Sequence, residues 1–178
     1  MALNWAVMNE NRSPVPLPNE STITTVDSGV ELTLRVPESP PGWDLGNNAT
    51  TAGGKAVTLK ETGMLTVTDQ RFIFTSAAAN PALDSLSVPL PAILSTRFEQ
   101  PTFGSNYFTF EIGAAVGGGL TPGTTAEVRF KDRAMFSFVA TLEKTRERAI
   151  YMKRQKAENE EGGLRAFWFR LRLIRSSD

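Results

Sequence analysis

The side chains able to do chemistry in this 178-residue chain are carboxylates, amines, guanidiniums and hydroxyls, because it contains no histidine and no cysteine. That excludes a Ser-His-Asp triad, an imidazole base, a thiolate nucleophile, a disulfide and a Cys/His zinc site. Paired carboxylates survive the exclusion. The candidate groups are Glu158, Glu160 and Glu161 near the end of a helical pattern, and Glu38 with Asp44 in a loop. Neither group sits in an apolar run that would raise a carboxyl pKa into a working range. The expectation is a protein that is not an enzyme and that needs no metal and no cofactor. Gly117-Gly118-Gly119 is followed by Leu120-Thr121-Pro122 and another strand. It lacks the following helix and the lysine of a phosphate loop, and reads as a hairpin loop.

Cations offer binding chemistry instead. Lys55, Lys60 and Arg71 alternate with Glu61 and Asp69; they are candidate contacts for an anionic lipid, as are Arg170 and Arg172 near the end of the chain. The net charge is zero, from 19 basic and 19 acidic residues. Residues 1–128 hold 6 basic and 12 acidic side chains, whereas residues 129–178 hold 13 and 7. An acidic body joined to a basic end has different partners from an evenly neutral surface.

The elements that must position these residues are legible from period. Residues 1–22, with Pro14, Pro16 and Pro18, form an extended arm. Val30–Val36 alternates as a half-buried strand. Residues 37–54, rich in proline, glycine and asparagine, form a long loop. Strand patterns follow at 55–60, 63–68, 71–75, 85–90, 92–98, 106–112 and 124–130; the first two can fuse, Asp69-Gln70 makes a tight turn, and Pro89 and Pro91 keep 85–90 short or at an edge. From Ala134 to about Glu161 the period becomes helical, with Met135, Phe138 and Leu142 inward and Glu143, Lys144, Arg146, Glu147 and Arg148 outward. Asp132 stands at the N-cap position, and Gly162-Gly163 is expected to stop the helix. The resulting fold class is mainly β with one long C-terminal helix: a bent antiparallel barrel of about seven strands over 23–161, covered by the helix. Residues 162–178 are a basic aromatic tail with four arginines. Three readings fit it: an amphipathic segment for a membrane or partner, an alternating strand (Phe167, Phe169, Leu171, Leu173) that adds to a sheet edge, or an atypical terminus.

Local blocks resemble a known family. Gln100-Pro101-Thr102-Phe103-Gly104-Ser105-Asn106-Tyr107 with Gly117-Gly118-Gly119, the stretch Thr68–Phe74, and Leu3-Asn4 are similar to the WW domain-binding protein 2 family, whose folded part is a GRAM domain of pleckstrin-homology-like (PH-like) type. The resemblance implies Phe103, Gly104, Asn106, Tyr107 and Gly117–Gly119 as motif residues of structural role. It implies a non-enzymatic adaptor of nucleus and cytoplasm, acting as a transcription coactivator at chromatin, with WW-domain proteins or transcription factors as partners. Pro-Pro-x-Tyr, the WW ligand of that family, is absent; the nearest string is Pro40-Pro41-Gly42-Trp43, so Pro40, Pro41 and Trp43 are the candidate partner contacts. The alternative function is a peripheral module for phosphoinositides or anionic membranes.

Overall fold

The computed structural model describes residues 2–39, 56–80, 82–102, 104–131 and 135–175, of which 161–175 are described by their backbone. The elements are β1 (Ala2–Leu3), β2 (Thr22–Val36), β3 (Val57–Thr68), β4 (Arg71–Ser76), β5 (Ser85–Pro89), a 3-10 turn at Leu90–Ala92, β6 (Ile93–Glu99), β7 (Tyr107–Ile112), β8 (Thr125–Phe130) and α1 (Met135–Arg175). The strands form one antiparallel sheet in the order β1-β5-β4-β3-β2-β8-β7-β6. It curls into a half-barrel of seven strands, with the two-residue β1 added at one edge.

Alternation explains the curl and the core. Leu32 and Leu34 on β2, Leu65 and Val67 on β3, Phe72 and Phe74 on β4, and Phe108 and Phe110 on β7 all point inward and are buried. Phe72 meets Phe110 edge-on across the barrel, with ring centroids 5.0 Å apart. Gly63 lets β3 and β4 close together: a Cβ there would run into the Thr75 carbonyl oxygen. The two expected strand patterns at 55–60 and 63–68 are thus one strand from Val57, and β2 begins at Thr22, well before its alternating part.

β5 and β6 are consecutive in sequence but unpaired, which leaves an opening. The first turns of α1 fill it. Met135, Phe138, Val139 and Leu142 are buried at helical spacing, and Phe138 meets Phe130 edge-on at 5.1 Å. The inward face is as expected from the period, with one correction. Arg146 is half-buried at the rim and not free in solvent: its Nε and Nη2 donate to the carbonyls of Ile93 and Leu94, at 2.7 and 2.9 Å, and pin the helix to the start of β6. Those carbonyls sit at an open sheet edge, where a guanidinium supplies the missing donors. The expected N-cap, Asp132, lies outside the described residues.

Two further expectations are corrected. The helix does not stop at Gly162-Gly163; it continues to Arg175. Each glycine costs a helix about 1 kcal/mol relative to alanine, and the flanking run of lysine, alanine, glutamate, leucine and arginine favours propagation across the pair. The tail therefore follows a helical period, and the strand-addition reading of Phe167, Phe169, Leu171 and Leu173 fails.

The N-terminal arm is also more than an extended lead-in. Leu3 is buried in the core, and its N–H donates to Gly118 O at 3.0 Å. Asn4 adopts φ 58° and accepts through Oδ1 from the N–H groups of Asp84 and Ser85. Residues 7–15 fold back as a hairpin, with Val15 N–H on Val7 O and a bridge between Met8 and Pro14. Arg12 then donates to Ser76 O and pairs with Asp84 at 2.5 Å. The outward residues of β4 and β5, Ile73, Thr75, Ser85 and Ser87, are buried although they face away from the barrel interior. The arm covers them as a strap.

Candidate functional site

Two of the sheet-side cations are described, and both have carboxylate partners. Arg71 opens β4 and is turned under the strap; its Nε and Nη2 reach Glu20 Oε1 and Oε2 at 2.8 and 2.6 Å, and Nη1 donates to Ser87 Oγ at 3.3 Å. The Glu20 side chain is fully covered and that of Arg71 is 14% exposed. Burial alone would raise the Glu20 pKa. The hydrogen bonds from Arg71, Leu17 N–H and Thr68 Oγ1, with the guanidinium charge, outweigh it and hold the carboxyl at about 2. Lys60 pairs with Glu31 at 3.0 Å on the open sheet face, with 59% of its side chain exposed. Lys55 lies outside the described residues. The two described cations, Lys60 and Arg71, therefore do not form an open cluster. Sequence reasoning missed Glu20, because a single carboxylate after a proline-rich stretch has no periodic signature.

Among the described family-motif residues, Tyr107 and the glycines have identifiable surroundings. Tyr107, on β7, lies under the Arg129 guanidinium at 4.5 Å, and Arg129 donates to Ser105 O and Glu127. Glu127 also takes Arg35 at 3.0 Å, so this face of β2, β8 and β7 is a charge ladder closed on itself. Gly104 (φ 102°), Gly117 (φ 73°) and Gly119 (φ 77°) occupy the left-handed region that side chains disfavour. Gly118 receives the Leu3 N–H, and Leu120 drops into the core, so the triglycine loop anchors the arm and plugs the barrel. Asn106 is exposed. Phe103, Pro40, Pro41 and Trp43 lie outside the described residues.

The helix supplies the remaining surface. Ala149 is the last of its residues packed against the core, and every residue from Tyr151 to Glu160 is exposed. The second half of α1 therefore leaves the sheet, and residues 151–175 span roughly 37 Å at 1.5 Å per residue. Over 164–175 this half carries four arginines, Arg170 and Arg172 among them, and no acidic residue. The helical backbone brings positions 164, 167, 168 and 171 to one side; they are Leu, Phe, Trp and Leu. Among the described residues no helix is long and apolar enough to cross a membrane.

A curled antiparallel sheet closed by one C-terminal helix defines the class: this chain has a PH-like fold. It is similar to the Vps36 N-terminal PH domain, with a TM-score of 0.56 at 14% identity, over 84% of this chain and 96% of that one. It is also 22% identical over 141 residues to a UPF0664 stress-induced protein of Schizosaccharomyces pombe, covering 78% of this chain and 72% of that protein. No family model matches the chain.

Proposed function

We propose that this chain is a non-catalytic PH-like module that docks on anionic membranes through the C-terminal half of α1. The observation that carries the reading is the single helix from Met135 to Arg175, packed as far as Ala149 and exposed over 151–160. The helix carries the basic aromatic segment beyond its packed half. Arginine near an anionic surface contributes about 1 kcal/mol per residue, so the four of 164–175 supply roughly 4 kcal/mol. Aromatic and leucine side chains add the second signal that stable peripheral attachment requires. Arg71 is covered and Lys60 stands alone beside Glu31, which favours the helix over the barrel as the contact. A pool in cytoplasm and nucleus, reversibly recruited to membranes, goes with this reading. By analogy with the description of the fission yeast relative, stress is its proposed setting.

Flotation with vesicles of phosphatidylcholine and phosphatidylserine tests it. The intact chain should float, and added salt should release it. Arg170→Glu with Arg172→Glu should abolish flotation while leaving the melting temperature unchanged. Flotation that survives this double charge reversal refutes the helix as the contact.

The adaptor and coactivator reading implied by the WW domain-binding protein 2 resemblance rests on the Phe103–Gly119 block, whose described residues are largely structural. Its partner contacts would be Pro40, Pro41 and Trp43. A WW-domain pull-down lost on Trp43→Ala would support it.

A further inference from the structure

The far half of α1 carries an acidic block that the membrane reading does not use. Glu158, Glu160 and Glu161 stand between two basic stretches, Lys153 to Lys156 before them and Arg165 to Arg175 after them. Carboxylates beside an anionic surface oppose attachment, so the block does not serve that contact. Glu158 and Glu160 are exposed, and among the described residues neither has an ion-pair partner. Arg154 and Lys156 precede them by four positions, but a cation N-terminal to its carboxylate is the weaker order for a helical pair, and neither pair is closed. Arg170 and Arg172 follow Glu161 by roughly two and a half turns or more of the same continuous helix, out of its reach. One helix therefore cannot join its acidic block to its terminal arginines. A second copy can.

Two such helices side by side in parallel would set like charge against like. Antiparallel, crossing near position 166, they set positions 158–161 of one copy beside 171–174 of the other, among its Arg170, Arg172 and Arg175. A two-fold axis makes the same contact twice. Near that axis Leu164 of each copy falls beside Trp168 of the other. Position 175 of one copy then reaches only to position 157 of the other, short of Ala149, the last residue packed on the core, so the two barrels stay clear of each other. We infer that the far half of α1 is a self-association surface, on which a second copy of this chain docks antiparallel, with Glu158, Glu160 and Glu161 of each against Arg170 and Arg172 of the other. The overlap, 157–175, is roughly 27 Å long. Exposed charge pairs are weak and screened by salt, so the dilute chain is a monomer and pairing needs high concentration. The pairing does not rest on the membrane reading, although both use the same arginines.

Sedimentation velocity of the full chain without lipid, over a range of concentration, tests it. A monomer–dimer equilibrium that salt shifts to monomer is expected. Two variants reverse the charges: Glu158→Lys with Glu160→Lys and Glu161→Lys, and Arg170→Glu with Arg172→Glu. All five positions lie beyond the packed half of α1, so melting of the barrel should be unchanged. Each variant alone sets like charges together and should pair about tenfold more weakly or worse. Mixed in equal amounts, the two variants again set opposite charges together in both contacts, and should form a mixed dimer as tight as the natural one. Recovery in the mixture supports the pairing. A natural chain that is monomeric at every concentration overturns it. So does a dimer indifferent to both variants, or weakening with no recovery in the mixture. No vesicle enters this experiment and flotation is read on the dilute chain, so either proposal can fail without the other.

Discussion

The strap side of the molecule and the far half of α1 are opposites. On the strap side the chain is fixed by Leu3 in the core, by the Asn4 side chain on two backbone donors, and by a covered carboxylate on Arg71. On the other, residues 151–160 are exposed all round. Both segments lie outside the barrel strands, yet one is locked by specific polar contacts and the other is displayed. Local stability in proteins varies in this way, and binding segments come from its low end. The contrast is the ground for proposing membrane contact on the helix and not on the strap side.

Three substitutions and a titration test that contrast, from the largest effect to the smallest. Phe138→Ala removes the ring that fills the opening between β5 and β6, and should cost roughly 3–5 kcal/mol in a denaturant titration. A loss below about 1 kcal/mol would mean that the helix does not close the barrel. Arg71→Ala leaves Glu20 without its cation and should cost about 3 kcal/mol. It should also release the strap, seen as faster proteolysis within residues 4–20. The same pair gives a pH dependence. The Glu20 pKa is depressed on folding, from 4.5 to about 2, so its stabilisation is complete above pH 4.5 and is lost as pH falls towards 2. The stability difference between the natural chain and Glu20→Gln should therefore shrink over that window and stay flat above it. Lys60→Ala breaks an exposed pair and should change stability by about 0.5 kcal/mol or less.

Much of the fold was legible because period is a direct signature of burial. Arg71–Thr75 and Val30–Val36 read as strands, and Met135, Phe138 and Leu142 as a buried helical face. The strap was not legible. β1 is two residues long, Asn4 is left-handed, and Glu20 meets a guanidinium 51 positions away. Nothing local encodes that pairing. Arg146 was assigned to solvent because charge usually marks an outer face, but the unpaired carbonyls of β6 call it inward. The diglycine misled for a related reason: a local breaker was weighed without the helix-forming sequence on both sides. The resemblance in the Gln100–Gly119 block pointed to the right fold class, because Tyr107, Gly117 and Gly119 are needed by the backbone and its packing. It says less about partners, for the same reason.

Amide hydrogen exchange with and without anionic vesicles tests the central claim most directly, because it reads the strap and the far helix in one experiment. The account predicts that residues 164–175 gain protection on vesicles containing phosphatidylserine, while Leu3, Asn4 and β4 are slow in both conditions. Protection appearing on the β3–β4 face, with residues 164–175 unchanged, would contradict it.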